Sequence, residues 1–182
     1  MVRVKRLMFI AVVVAVLDQG TKWLVIRFLD IGFGWSLIPG YLDLVHVRNR
    51  GAAFGILANQ STSWTVPFFY MASAVSLVLL LLYYLSLKKH QVVARTAVAL
   101  MCGGAIGNLV DRILRGEVVD FVSVHIREEW ADFLLFGHHF NLKLEWPAFN
   151  VADSSITVAV ITLLVASLPT VSGTPRSGVR DS

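Results

Sequence analysis

Residues 67–87 read PFFYMASAVSLVLLLLYYLSL, and none of them is charged. A helix rises ~1.5 Å per residue, so ~20 mostly apolar residues cross the hydrocarbon core of a bilayer. The stretch reads as a membrane span, and that reading decides the class of fold. Working outward, three more segments share its character: LMFIAVVVAVLDQGTKWLVIRFL (7–29), TAVALMCGGAIGNLVDRIL (96–114) and FNVADSSITVAVITLLVASL (149–168). The whole chain of 182 residues agrees, at 56% hydrophobic and 15% charged, where a soluble domain carries about 25% charged residues. The expected architecture is integral membrane α-helical: one domain over residues 1–168 with four transmembrane helices, then a disordered tail at 169–182.

The first span has a rival. MVRVKR followed by LMFIAVVVAVL imitates the basic and apolar regions of a secretory signal peptide. The apolar run resumes after Lys22 as WLVI, however, and no small-x-small cleavage site closes it, so a retained helix is the better reading.

Lys and Arg mark the cytoplasmic side of short connections. Arg3, Lys5 and Arg6 precede the first span, KKHQVVAR separates the second from the third, and Arg176 and Arg180 follow the fourth. Both termini are therefore expected in the cytoplasm, with two extracytoplasmic segments, 30–66 and 115–148. In the first of these, YLDLVHVR (41–48) alternates enough to predict a short strand, Gly51 and Gly55 predict a turn, and ANQSTSW a short surface turn.

The basic residues lie beside apolar runs and not in an aromatic-interleaved patch, so the pI near 9.5 does not imply nucleic acid. The single cysteine, Cys102, sits inside a span, which excludes an intrachain disulfide and a cysteine-ligated metal. Among the five histidines, His138 and His139 are adjacent, and the others are scattered. No metal or cofactor is expected.

Ionisable groups inside a span cost at least ~2.5–3.5 kcal/mol each near its centre, so they tend to face the bundle interior and mark function. Asp18 and Lys22 are four apart on one helical face, the acid on the N-terminal side, which suits an ion pair. Such a pair either docks the first helix or supports a site. Asn108, Asp111 and Arg112 end the third span, above a Gly103-xxx-Gly107 seam that admits a close helix neighbour. Alone, they read as packing topped by a hydrogen-bond network. Asp120 lies in GEVVDF within an apolar collar, which raises a carboxyl pKa by desolvation. Asp153 opens the fourth helix, and Asn150 three residues before it forms a capping-box pattern.

An outward third helix and an inward fourth bring Asp111, Arg112, Asp120 and Asp153 to one depth near the outer face. Two facing carboxylates at an apolar boundary share a proton. One then activates water while the other protonates the scissile carbonyl or leaving amine, which is aspartic-protease chemistry.

The motifs DQGTK (18–22), NRGAAFGIL (49–57), GGAIGNLVDR (103–112), VVDF (118–121) and FNVAD (149–153) resemble, in order, those of bacterial lipoprotein signal peptidase, or signal peptidase II. The resemblance runs from residue 7 to about 168. It implies an aspartic endopeptidase of the bacterial cytoplasmic membrane, with its active site on the extracytoplasmic side. Its partners would be membrane lipid and prolipoproteins, cut just before a diacylglyceryl-modified cysteine, and a monomer suffices. By motif, Asp120 and Asp153 match the catalytic pair. Asn108, Asp111, Arg112 and Asn150 match the residues that orient it, and Asp18, Lys22, Asn49 and Gly51 match supporting positions. The segment 41–57 resembles the family's small extracytoplasmic β-cradle, with a short surface helix after it. The stretch 122–148 is longer than the family pattern leads one to expect and reads as an added hairpin or amphipathic element. A proton-coupled transporter is the alternative reading, but no internal repeat supports it.

Overall fold

The computed structural model describes residues 2–50, 65–135 and 138–168. Four helices, α1 (Val2–Phe28), α2 (Thr65–Ser86), α3 (Val92–Arg115) and α4 (Val151–Ser167), are joined by four strands, β1 (Gly34–Ile38), β2 (Leu42–Asn49), β3 (Val118–Leu135) and β4 (His138–Phe149). Among the described residues, three helices, α1 to α3, are long and apolar enough to cross a membrane. The apolar α4 has 17 residues, at the lower limit of the spanning range of about 17–25. Gly51, Gly55, the ANQSTSW turn, the surface helix of the resemblance and the 169–182 tail lie outside the described residues.

Helix α3 is the hub, packing on α1, α2 and α4. Three glycines allow its close approaches. A Cβ on Gly103 would lie 2.6 Å from Val14 Cβ, one on Gly107 2.5 Å from Asp18 Oδ2, and one on Gly104 2.5 Å from the Ala152 carbonyl oxygen. The predicted seam of Gly103 and Gly107 thus faces α1, while Gly104 makes a second seam against α4. At the other end, Leu7, Ala11, Tyr84, Leu87, Val98, Ala99 and Cys102 form one apolar cluster, so Cys102 is a buried packing residue.

Helix α3 begins at Val92, four residues before the expected boundary, which takes Arg95 out of the basic connection. Arg95 is buried, donates to the Tyr84 hydroxyl at 2.9 Å and stacks on the Tyr84 ring at 4.8 Å. A guanidinium that finds an aromatic face and a hydroxyl is held in the bundle and no longer behaves as a loop charge.

At its other end α3 stops at Gly116, whose left-handed φ of 75° lets its N–H return to the Arg112 carbonyl at 2.9 Å. The chain re-emerges as β3. The strands form one antiparallel sheet in the order β1-β2-β3-β4, so the predicted strand is β2. The stretch 122–148 belongs to a hairpin of β3 and β4 that pairs from Val122↔Phe149 to Leu135↔His138. Val119 and Phe121 pack with Val25, which seats the sheet on the end of α1.

Gly104→Ala should cost about 1–3 kcal/mol, the usual price of overpacking, because all three atoms opposing the new methyl belong to the start of α4: the Ala152 carbonyl oxygen, Ser155 Oγ and Ile156 Cγ1. Thermal unfolding in detergent checks this; an unchanged midpoint would show that the α3–α4 seam has slack.

Candidate active site

The site grows from a charge buried where no water is available. Lys22 is fully buried. Its ammonium donates to Asp18 Oδ2 at 2.7 Å and Asn108 Oδ1 at 3.0 Å, and pairs with Asp111 Oδ2 at 2.8 Å. Three donors meet three acceptors, which uses the full capacity of an ammonium group. The Asp18–Lys22 pair expected within one helix is therefore part of a larger unit. Asp18 Oδ1 also accepts from the Ala152 backbone N–H at 2.9 Å, tying α1 to the first turn of α4.

Asp111 is saturated in the same way. Its Oδ1 accepts from Gln19 Nε2 at 3.1 Å and from Arg115, and its Oδ2 accepts from the Val119 backbone N–H at 3.1 Å. Gln19 also donates to the Gly107 carbonyl at 3.0 Å and accepts from Arg115 at 3.0 Å. Two carboxylates and two cations balance, and the Val119 bond fixes the backbone beside Asp120. Gln19 and Arg115 are not among the site residues read from the sequence. The i, i+4 spacing of Asp111 and Arg115 was the signal available for one of them.

The polar amides carry this order outward. Asn150 caps α4: its Oδ1 accepts from the Asp153 N–H at 3.0 Å and Asp153 Oδ2 accepts from the Asn150 N–H at 3.2 Å, the predicted capping box. With Oδ1 committed, Asn150 Nδ2 points at Asp120 Oδ1, 2.7 Å away. Asn108 Oδ1 is likewise committed to Lys22, so its Nδ2 faces Asp153 Oδ1 at 2.8 Å. Asn49 Nδ2, from β2, donates to Asp120 Oδ2 at 3.0 Å. Asp120 and Asp153 thus stand on either side of Asn150, each held by two N–H donors.

Burial, joined by the nearby Asp153 charge, pushes the Asp120 carboxyl up to about 6, against the downward pull of bonds from Asn49 and Asn150 and the charge of Lys22. Arg112 donates to the Asn108 carbonyl at 3.2 Å, lies 5.5 Å from the centre of the Phe69 ring, and receives on its own carbonyl the Tyr70 hydroxyl. It stands at the rim of the site and not among the amides that hold the acids.

Two cavities flank these residues. One of about 500 Å³ runs between α2, α3 and α4, from Leu79 and Leu80 up to Asn108 and Arg112. The other, about 410 Å³, is lined by Asn49, Arg50, Asp120 and Pro147. Among the described residues no group of His, Cys, Asp and Glu has the makings of a metal site.

Of the ten positions singled out in the sequence, Gly51 lies outside the described residues, and the other nine gather around this network. Residues 10–169 match the family model described as Signal peptidase (SPase) II. The lipoprotein signal peptidase of Syntrophotalea carbinolica is 47% identical over 160 residues, 88% of this chain and 89% of that one. That of Halalkalibacterium halodurans is 44% identical over 151 residues, 83% of this chain and 84% of its own. A bacterial membrane enzyme solved by the in meso method superposes with a TM-score of 0.70 at 34% identity, covering 97% of this chain and 95% of that one.

Lys22→Met would leave Asp18 and Asp111 facing each other without their shared cation, and removing one partner of a buried charge set costs about 3–5 kcal/mol. A large drop in thermal stability is expected, with loss of turnover. Wild-type stability would show that the ammonium is not what holds α1 to α3.

Proposed function

Because this chain belongs to the signal peptidase II family, we propose that it removes signal peptides from prolipoproteins, with Asp120 and Asp153 as its catalytic pair. The observation that carries this reading is that the two carboxylates approach from β3 and α4 around one residue, Asn150, whose side-chain amide donates to Asp120 and whose backbone N–H donates to Asp153. The alternative of a proton-coupled transporter falls with the family membership.

The two acids have different surroundings. Asp153 lies in the first turn of α4, where it accepts from the Asn150 backbone N–H and from Asn108 Nδ2 at the edge of the large cavity. Asp120 is buried in the sheet with a pKa of about 6. Asp153 therefore acts as base and Asp120 as acid. Asp153 takes a proton from water, whose oxygen attacks the scissile carbonyl carbon, while Asp120 protonates the carbonyl oxygen. As the tetrahedral intermediate collapses, the proton held by Asp153 passes to the leaving nitrogen, the C–N bond breaks, and Asp120 recovers its proton from the intermediate.

The two cavities suit a substrate that is half lipid. The larger one, lined by Phe69, Leu79, Leu80, Met101 and Ile156, opens between helices and accepts apolar chain from the bilayer. The smaller, polar one receives the peptide beyond the cut. The residue at the cut is a diacylglyceryl-modified cysteine, the enzyme lies in the bacterial cytoplasmic membrane with both termini inside and its acids outside, and it acts as a monomer.

Cleavage of a diacylglyceryl-modified prolipoprotein tests the pair. Asp120→Asn and Asp153→Asn should each lower turnover by about 10²–10⁴-fold, the usual weight of a general acid or base, while the protein stays folded. Near-normal turnover in either would make Asp111 the next carboxylate to examine.

The pH profile tests the division of labour. With Asp120 as the acid, turnover falls as pH rises through about 6. The Asn49 hydrogen bond favours the ionised form, so Asn49→Ala raises the Asp120 pKa and moves this alkaline limb to higher pH. A limb that stays put or moves down would take the acid role from Asp120.

A further inference from the structure

The sheet is two-faced in an unusual sense. Paired residues of neighbouring strands share a face, and so do residues two apart on one strand. Trp35, Leu44, Val122 and Phe149 form one row across all four strands, and Ile38, Leu42, Val124 and Trp146 form the next. Both rows lie on the face that carries Asp120, because 120, 122 and 124 alternate with 121 and 123. The opposite face carries Val119 and Phe121, which pack on Val25, and farther out the polar row Ser36, Asp43 and Ser123. Nearby, His125 lies 3.8 Å from Asp43.

An antiparallel sheet normally turns its apolar face to a core and its polar face to water. Here Leu44 and Val122 pack against the Val25 cluster, but the edge and the outer row of the apolar face stay open. Trp35 is 54% exposed, Ile38 52%, Val124 40% and Trp146 67%. Contiguous exposed apolar surface of this kind marks an interaction site.

What covers it is read from continuity. The outer end of α1 exposes Trp23, Leu24 and Phe28, as a lipid-facing helix must. Exposed Ile31 and Phe33 carry this surface through the turn into β1, and Trp35 and Ile38 extend it onto the sheet. The outermost row ends in a tryptophan, a residue that concentrates where bilayer and water meet because its ring is apolar and its N–H is polar.

We propose that the apolar face of this sheet rests in the interfacial zone of the phospholipid bilayer, so that the sheet is a membrane-docked platform and not a lobe standing free in water. Asp120 lies at the inner end of that face. The docked sheet thereby holds the acid at the depth where a lipid-anchored peptide leaves the membrane.

Nitroxide labels read this directly. In a Cys102→Ala background, Ile38→Cys and Trp146→Cys place labels on the apolar rows and Ser36→Cys places one on the polar row. In phosphatidylcholine–phosphatidylglycerol nanodiscs, the ratio of collision with oxygen to collision with a water-soluble nickel chelate should be several-fold higher at 38 and 146 than at 36. Equal ratios would overturn the proposal. So would protection from both reagents in nanodiscs and detergent alike, which would mean that another part of the chain covers the face. Protection that appears only when a prolipoprotein is added would identify peptide, not lipid, as the occupant. The unlabelled chain gives an independent check. Phosphatidylcholine brominated near the headgroup should quench a fraction of its fluorescence that drops when Trp35 and Trp146 are both changed to Phe; an unchanged fraction contradicts the docked sheet.

Discussion

An ammonium group with no exposure to solvent, inside a helix bundle, has to be neutralised where it stands, and Lys22 meets that constraint with Asp18, Asp111 and the Asn108 amide. Each partner lies on a different structural element or reaches one. Asp18 bonds the first turn of α4, and Asp111 bonds the backbone where β3 begins. The cluster therefore fixes α1, α3, α4 and the sheet relative to one another. Its net contribution to stability is not the point, since burying charges has a desolvation cost that can exceed the Coulombic gain. What it supplies is register: any other arrangement of these helices leaves a bare charge in a place without water.

From this unit to the acids runs a chain of committed amides. An asparagine side chain has a carbonyl end and an amino end, and whichever end is claimed first decides what the other can do. Lys22 claims the carbonyl of Asn108, and the α4 cap claims that of Asn150. Their amino ends are then turned to Asp153 and Asp120. A buried cation thus orients donors at carboxylates that it does not touch. The capping box of α4 and the placement of Asp153 are one feature, so the capping role of that residue and the catalytic role proposed for it do not compete.

Close packing makes these contacts possible. Gly103, Gly104 and Gly107 remove side chains at the three places where α3 meets Val14, Ala152 and Asp18. With any Cβ at Gly107 the Asp18 carboxylate would have to move. Helix α2, by contrast, is mostly exposed along its length and bounds the large apolar cavity beside Asn108 and Arg112. Rigid polar packing on one side of α3 and an open apolar groove on the other suit the proposed entry of substrate through lipid.

The uninterrupted apolar runs determined the membrane class and the helices, because a bilayer demands ~20 apolar residues per crossing whatever the packing. Motif order reached the family, and local spacing gave the Asp18–Lys22 pair, the cap of α4 and the strand near 41–48. The tertiary structure decided what depended on distant partners. Asp111 binds Lys22, Arg115 and the Val119 backbone beside Asp120, Gln19 entered the network, and Arg95 left its loop for Tyr84. It also showed that the stretch beyond Asp120 is a strand pair and that the outer part of the face bearing Asp120 is apolar and exposed. Hydrophobicity and capping are written within a few residues of one another in the chain. The neutralisation of a buried charge is written only in the meeting of segments nearly a hundred residues apart, from Gln19 to Asp111.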